Sequence, residues 1–187
     1  LENLEASFRK FADMSTKAVI YNGDDQNTLD SLVGVDGKEM ISFGTSEGCT
    51  YTAKNIGFNN GAFPCYDLYI NGQLQKRIEL SVPGEHNVLN SLAAIATAMY
   101  CGATVEQCSN SIVTFKGAGR RFEFLGTYNG ADIVDDYAHH PAELEVTLSA
   151  AKKMDYKRVW AVFQPFTFSR TKLHLHAFAK ALSIADN

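Results

Sequence analysis

Apolar residues follow two different periods along the first half of the chain. Near the start they recur every three or four positions, which predicts an amphipathic helix carrying Leu1, Leu4, Phe8 and Phe11 on one face. The short apolar runs 18–21 and 39–43 predict strands, and 28–33 predicts a short helix between them. This part of the sequence therefore predicts alternating helices and strands.

The period changes to two in the next stretch. Strands are predicted over 51–58, 62–70 and 73–82, and the pairs Asn60-Gly61 and Asn71-Gly72 between them are strong signals for tight hairpins. Apolar and polar residues alternate in the last of these strands. We expect an antiparallel meander with one face in water.

Helical spacing then returns, and a flexible basic segment follows it. Helices are predicted over 88–99 and 105–113, with Gly102 capping the first of them. The small and basic residues of 116–121 come next. We place a domain boundary in this segment, which gives domains of residues 1–118 and 119–187.

The last third of the chain alternates strands with helices. We predict strands over 122–125, 132–135 and 158–163, a turn at Asn129-Gly130, and helices over 142–153 and 172–183. The connections are short, which favours a parallel, right-handed α/β sheet.

Composition narrows the class of protein. The 187 residues are 45% hydrophobic and 20% charged, which excludes a disordered chain. The net charge of −4 disfavours nucleic acid as a partner, and the longest apolar stretch, 92–103, is too short for a membrane span. Four cysteines without a C-x-x-C pair suggest thiols in a reducing, cytoplasmic compartment. Because a helical pattern starts at once with Leu1, we expect a fragment of a longer protein.

The richest cluster of functional groups follows the strand predicted to end at Asp135. It contains Asp135, Asp136, Tyr137, His139 and His140, at the sheet edge where open α/β sheets bind ligands. The simpler interpretation makes Asp136 a residue of the helix N-cap region, Pro141 a first-turn proline and the two histidines solvated loop side chains. Two acids, a tyrosine and two histidines in six residues favour a ligand site.

A metal site at this cluster is a weaker alternative. His174 and His176 could add nitrogen ligands, but two residues apart on a predicted helix they point about 200° apart. We therefore predict no metal ligands in this chain.

Three further groups could recognise a ligand. Asn87 and Asn90, beside His86, could place amides against a flat heterocycle, or they could simply cap a helix. The planar guanidinium groups of Arg120 and Arg121 suit phosphate, ribose or carboxylate recognition, or an ion pair between domains. Arg170 could hold a carboxylate through two hydrogen bonds, or it could simply be exposed on a helix that Ser169 or Thr171 caps.

These motifs, in this order and spacing over the whole chain, resemble the Mur ligase family. The matching stretches are 1–4, 84–90, 119–123, 135–141 and 164–170. The D-D-Y-x-H-H-P pattern of 135–141 is highly specific, whereas H-N-x-x-N is shared with folylpolyglutamate synthetases. The resemblance implies an α/β fold: part of the central ATPase domain, containing the antiparallel meander, followed by part of a Rossmann-like C-terminal domain.

The same resemblance implies an ATP-dependent ligase of peptidoglycan synthesis that adds L-alanine to UDP-N-acetylmuramate through an acyl phosphate. No G-x-x-x-x-G-K-[ST] phosphate loop occurs in the sequence. We expect the phosphate loop and the ligands of magnesium upstream, and the chain alone to be inactive. The partners implied are the two substrates, with ATP and magnesium as cofactors.

Site residues are implied motif by motif. The adenosine of ATP would meet His86, Asn87 and Asn90, with Arg121 and Asp136 on the ribose. The muramyl carboxylate and the alanine would meet Tyr137, His139 and Arg170, of which His139 and Arg170 are the catalytic candidates. Phe166 departs from the family, which usually carries histidine there.

Two other functions stay open from the sequence. A related ligase that joins a preformed tripeptide to UDP-N-acetylmuramate shares the histidine pair, and the absent phosphate loop is compatible with a non-catalytic nucleotide-binding module. The oligomeric state is open as well, although an exposed sheet edge would favour a dimer or an exchange of elements.

Overall fold

The computed structural model describes residues 2–187, with side chains from Leu4 onward. Leu1, predicted on the first helix, lies outside the described residues. The elements in chain order are α1 (Glu2–Met14), β1 (Ala18–Asn22), α2 (Gln26–Leu32), β2 (Glu39–Gly44), β3 (Tyr51–Asn59), β4 (Phe63–Ile70), β5 (Gln73–Glu79), α3 (His86–Tyr100), α4 (Val105–Ile112), β6 (Glu123–Tyr128), β7 (Ala131–Asp135), α5 (Pro141–Lys153), α6 (Phe168–Leu173) and α7 (Leu175–Leu182).

The first five strands form one mixed sheet in the order β1-β2-β3-β4-β5. Strands β1, β2 and β3 run parallel, whereas β4 and β5 are antiparallel. Both Asn-Gly turns form as predicted, with Asn60 at φ 47° and Asn71 at φ 49°. The predicted helices and strands of this region are therefore confirmed, although β5 ends at Glu79 instead of Val82.

The chain divides into two compact units. The first comprises Leu1–Gly57, Cys65–Glu79 and Val88–Val113, and the second comprises Phe58–Pro64, Leu80–Asn87 and Thr114–Asn187. The second unit thus takes in two short earlier segments, which contain the first hairpin turn and the residues that lead into α3.

The core of the first unit is built from the sheet and from α3. Leu92 and Ile95 of the helix are completely buried, as are Tyr66 and Leu68 of β4. Each such aliphatic side chain contributes about 1.5–3 kcal/mol by leaving water. The Tyr66 hydroxyl lies 2.7 Å from that of Ser91, and burial raises the pKa of the tyrosine well above its usual value. This hydrogen bond fixes α3 on the sheet.

The second unit has its own small core. Leu144 of α5 packs with Phe178 and Ala181 of α7, and the Phe163 ring stacks on Phe178 at 5.3 Å between centroids. Strands β6 and β7 pair antiparallel through the predicted turn at Asn129-Gly130. The parallel sheet predicted for this region is therefore wrong among the described residues.

Two further predictions in the second unit are wrong. Residues 158–163 form no strand: the amide of Val159 donates to the Asp186 carboxylate and that of Ala161 to the Asn187 carbonyl, so these donors are not available for a ladder. The helix predicted over 172–183 is broken at His174, whose φ of −110° and ψ of 20° are not helical. Within the described range, no helix is long and apolar enough to cross a membrane.

Candidate functional site

The loop after β7 is held by the carboxylate of Asp136. One oxygen accepts from the Ala138 amide at 2.7 Å, and the other from the Phe122 amide at 2.9 Å. Asp136 therefore ties its own loop to the segment that leads into β6. Part of the hydrogen-bonding capacity of this carboxylate is thus used inside the protein.

Arg120 completes the tie between the two segments. Its carbonyl accepts from the Tyr137 amide at 2.8 Å, its Nε donates to Asp135 at 3.2 Å, and its guanidinium lies 4.7 Å from the centre of the Tyr137 ring. Arg120 at φ 59° and Phe122 at φ 47° adopt left-handed conformations that make this turn. The turn holds the neighbouring Arg121 side chain exposed, without a hydrogen bond or ion pair among residues 2–187.

The two histidines of this loop begin α5 in different ways. His140 is the N-cap: its Nδ1 accepts from the Ala142 amide at 3.3 Å, with Pro141 in the first turn. The Glu143 carboxylate accepts from the amides of His139 and His140 at 2.8 and 3.1 Å. The simpler interpretation is thus confirmed for Pro141, but the N-cap position belongs to His140, which was expected as a solvated loop side chain, and not to Asp136.

Sequence reasoning missed Glu143. Burial by itself would raise the pKa of this carboxyl, but the hydrogen bonds from the His139 and His140 amides and the nearby charges of His139 and Arg121 lower it below its ordinary value. Glu143 could have been found from its spacing to His140, because H-x-x-E is a capping-box spacing with histidine in place of serine or threonine.

His86 belongs to the same unit and lies close to this cluster. Desolvation lowers the pKa of its imidazole, while Asp136 raises it and Arg121 lowers it through their charges. Gly84, at φ 99°, lies so close under the ring that a β-carbon there would be 2.6 Å from Cε1 of His86. The structure thus brings together three of the predicted adenosine residues, His86, Arg121 and Asp136.

The two asparagines predicted to join them lie on α3. The side-chain amide nitrogen of Asn87 donates to the Pro83 carbonyl at 2.8 Å. Asn90 is exposed three residues further along the helix and falls in the first unit. On a helix this spacing puts both side chains on one face.

A cavity of about 240 Å³ opens beside His86 in the second unit. Its wall includes Phe58, Gly84, His86, Ala150 and Lys153, and the Lys153 ammonium lies 5.0 Å from the centre of the Phe58 ring. The space next to the imidazole is therefore partly apolar, as a flat heterocycle requires.

The segment that carries Arg170 is only loosely joined to the cluster. Arg170 is exposed on α6, and among the described residues its guanidinium makes no hydrogen bond or ion pair. The predicted caps of this helix are not used: Thr167 takes the N-cap position without a side-chain bond, and the Thr171 hydroxyl donates to the Thr167 carbonyl. Phe166 is 84% exposed.

Among the described residues, one ring contact joins this segment to the cluster, and it is made by two histidines. The rings of His140 and His174 meet edge to face at 5.3 Å, while His176 is exposed. In the described part of the chain, no three His, Cys, Asp or Glu residues are grouped as a metal site would need.

Comparison with known proteins gives the family. The model of the Mur ligase middle domain matches residues 1–98, and that of the Mur ligase glutamate ligase domain matches residues 120–187. The UDP-N-acetylmuramate--L-alanine ligases of Caldanaerobacter subterraneus subsp. tengcongensis and Lachnospira eligens are 39% and 42% identical over the whole chain. In both cases the chain spans 41% of the relative's length.

Solved structures agree with this assignment. UDP-N-acetylmuramate-alanine ligase MurC from Thermotoga maritima superimposes on the whole chain with a TM-score of 0.79 at 28% identity, and the match covers 40% of that protein. The murein peptide ligase from Psychrobacter arcticus shares the fold, with a TM-score of 0.71 at 24% identity, again over the whole chain and 40% of its own length. The predicted fold class is confirmed, and the chain belongs to the Mur ligase family.

Proposed function

We propose that this chain is the part of an ATP-dependent ligase that joins L-alanine to UDP-N-acetylmuramate in peptidoglycan synthesis. The observation that carries the proposal is that relatives named UDP-N-acetylmuramate--L-alanine ligase align with the entire chain at 38–42% identity. ATP supplies a phosphoryl group that activates the muramyl carboxylate as an acyl phosphate, and the amine of alanine then displaces phosphate. Such transfers depend chiefly on positioning and charge neutralisation.

The adenosine end of ATP is assigned to one side of the cluster. His86 borders a partly apolar cavity, and the Arg121 side chain is exposed and makes no hydrogen bond or ion pair among residues 2–187. Asp136 lies within electrostatic reach of His86. We assign the adenine to His86, Asn87 and Asn90, and the ribose to Arg121 and Asp136.

The substrate end is assigned to the loop before α5 and to α6. Tyr137 and His139 are partly exposed, with their rings edge to face at 5.1 Å. Arg170 offers a guanidinium that is unpaired among the described residues, and its planar fork matches a carboxylate. We assign Tyr137, His139 and Arg170 to the muramyl carboxylate and the alanine, with His139 and Arg170 as the catalytic residues.

We assign no residue of this chain to magnesium and propose that its ligands lie in the part of the ligase that carries the phosphate loop, a motif that this sequence lacks. We propose the division into residues 1–118 and 119–187, which the family matches to 1–98 and 120–187 support. We also propose a cytoplasmic location, where ATP is available.

The test uses the complete gene product that contains this chain. We expect phosphate release from ATP to require both UDP-N-acetylmuramate and L-alanine. Replacement of alanine by a preformed tripeptide distinguishes the recycling ligase, whose fold the chain also shares. Faster turnover with the tripeptide would reject the alanine ligase, and ATP binding without turnover of either substrate would indicate a non-catalytic module.

A further inference from the structure

The tautomer of His139 is determined by its two neighbours. Nδ1 of the ring lies 2.9 Å from the Tyr137 carbonyl oxygen and 3.5 Å from Oε2 of Glu143. Both of these oxygens can only accept, since one is a carbonyl and the other an ionised carboxylate. The hydrogen of the neutral ring must therefore be on Nδ1, which leaves the lone pair on Nε2.

The adjacent His140 is in the opposite state. Its Nδ1 accepts from the Ala142 amide, so the hydrogen of its neutral ring is on Nε2. Its ring also contacts His174. Of the two neighbouring histidines, only His139 therefore presents a free proton acceptor.

Glu143 supports this arrangement beside the Tyr137 carbonyl, which takes the hydrogen bond of Nδ1 at 2.9 Å. One of its oxygens, Oε2, accepts from the His139 amide, accepts from the His140 amide and faces the His139 ring. Its own position is set by α5, where it is the third residue after the N-cap. A single carboxylate thus orients both the backbone and the ring of His139.

The other charged groups around His139 leave Nε2 available. The Tyr137 ring meets the imidazole by its edge, and the Arg120 guanidinium lies on Tyr137 instead of on the histidine. Arg121 acts on Glu143 through its charge. Among residues 2–187, no hydrogen bond of Nε2 is formed, and the side chain is 37% exposed.

We propose that Glu143 is a positioning residue that holds His139 in the Nδ1–H tautomer, so that Nε2 takes a proton from the incoming amine. The identity of the proton donor, the amine of alanine, rests on the proposed function, whereas the assignment of the His139 tautomer does not. Two protons leave the ammonium group of alanine. Nε2 accepts the first and forms an imidazolium that the Glu143 carboxylate stabilises.

Formation of the amide bond then expels phosphate from the acyl carbon. The nitrogen lone pair forms the C–N bond to the acyl carbon. The bond between the acyl carbon and the phosphate oxygen breaks with its electron pair on phosphate, and the second ammonium proton leaves with that phosphate. No further reactant is needed.

The first experiment observes the tautomer by long-range ¹H–¹⁵N NMR of histidine-labelled complete gene product, with His139 assigned from a His139→Gln variant. We expect hydrogen on Nδ1 of His139 and on Nε2 of His140. In Glu143→Gln, which keeps a capping oxygen but loses the charge, we expect the share of the Nε2–H form at His139 to rise, because only the Tyr137 carbonyl then favours hydrogen on Nδ1. Hydrogen on Nε2 of wild-type His139 would overturn the proposal, even if the variant failed to fold.

The second experiment measures alanine ligation. For Glu143→Gln we expect kcat to fall by about ten-fold or more, as for loss of an oriented base, with little change in the KM for ATP. Asp155→Asn, which removes an exposed charge just after α5, should change neither.

The two experiments distinguish failure of the positioning role of Glu143 from failure of the proposed ligase function. Loss of thermal stability with an unchanged tautomer and an unchanged kcat would mean that Glu143 only caps the helix, and would overturn the proposal. A shifted tautomer in Glu143→Gln, in a protein that does not ligate alanine at all, would support the positioning role and reject the proposed function.

Discussion

Gly84 is the residue on which the place of the His86 ring depends. It combines a left-handed φ of 99° with a ring so close that a methyl group would clash with it. In Gly84→Ala we expect about 1–2 kcal/mol of lost stability from the backbone, plus a raised KM for ATP because the imidazole must move. Gly102→Ala is the control: φ is 98°, but nothing lies within 4 Å of the added carbon. Denaturant unfolding and ATP kinetics on both variants check this, and equal effects on KM would contradict it.

A substitution of Asn90 tests the assignment of the adenine of ATP to this face of α3. An amide paired with a base edge contributes about 1–3 kcal/mol, so Asn90→Ala should raise the KM for ATP by about 5- to 150-fold and leave the KM for alanine unchanged. Asn110→Ala, at an exposed asparagine of α4 in the same unit, is the matched control. An unchanged KM for ATP in the Asn90 variant would remove this residue from the site.

A substitution of Arg170 tests its assignment to the carboxylate of a substrate. Lysine keeps the charge but cannot form the planar, two-pronged contact with a carboxylate. Arg170→Lys should therefore impair the use of alanine or UDP-N-acetylmuramate more than the binding of ATP, by about ten-fold or more in kcat/KM. Because the side chain is exposed and unpaired among the described residues, the melting temperature should not change. An equal loss for all three substrates would point to a folding defect instead.

At the scale of residues, the sequence identifies candidate site residues, but it does not show the hydrogen bonds that each of them makes inside the protein. The family resemblance implies a ribose contact for Asp136, and the structure shows its carboxylate already bound to two amides of the protein. That contact depends on the left-handed turn at Arg120 and Phe122, for which neither residue has a special preference. Glu143 was missed although its capping-box spacing from His140 is visible in the sequence, because histidine stands where that motif has serine or threonine.

Among the elements, Asp24 links the loops that follow β1 and β2. Its carboxylate accepts from the amide and hydroxyl of Thr45 at 2.6 and 2.9 Å and from the Ser46 amide at 3.1 Å. Burial would raise the pKa of this carboxyl, but these hydrogen bonds outweigh it and lower the pKa below its ordinary value. The ionised form is therefore the one that stabilises the pair of parallel strands.

Asp24→Asn should lower the free energy of unfolding at neutral pH by on the order of 1 kcal/mol, discounted for the exposure of the side chain. The pKa is lower in the folded state, so the wild-type advantage is complete above about pH 4 and is lost as the pH falls through the folded value. Urea unfolding between about pH 3 and pH 7 measures this. A constant difference between the two proteins over that range would contradict the assigned role.

Elements with local signals were predicted correctly, and those that depend on distant partners were not. The Asn-Gly hairpins and the start of α5 are specified by neighbouring residues in the sequence. The apolar run 158–163 has the composition of a strand, but Val159 is bonded to Asp186, which lies far along the chain. The Lys152 ammonium holds the same aspartate at 2.8 Å, and no local pattern announces this contact.

For the whole molecule, the order of motifs is more informative than composition. A charge of −4 and four cysteines exclude classes of partner but select no reaction. The stretches around His86, Arg121, Asp136 and Arg170, in that order, indicate the family that the Mur ligase domain models match. The division into compact units could not be predicted from the same motifs, because 58–64 and 80–87 pack with the later part of the chain.

The last prediction concerns residues 1–187 as an isolated polypeptide. The sequence contains no phosphate-loop motif, which is the element that holds the phosphates of ATP and their cation in P-loop proteins. We expect no phosphate release above background when ATP, UDP-N-acetylmuramate and alanine are all present, while the complete gene product, assayed in parallel, turns over. Phosphate release by the isolated chain that depends on both substrates would show that phosphoryl transfer uses residues to which the structure gives no such role.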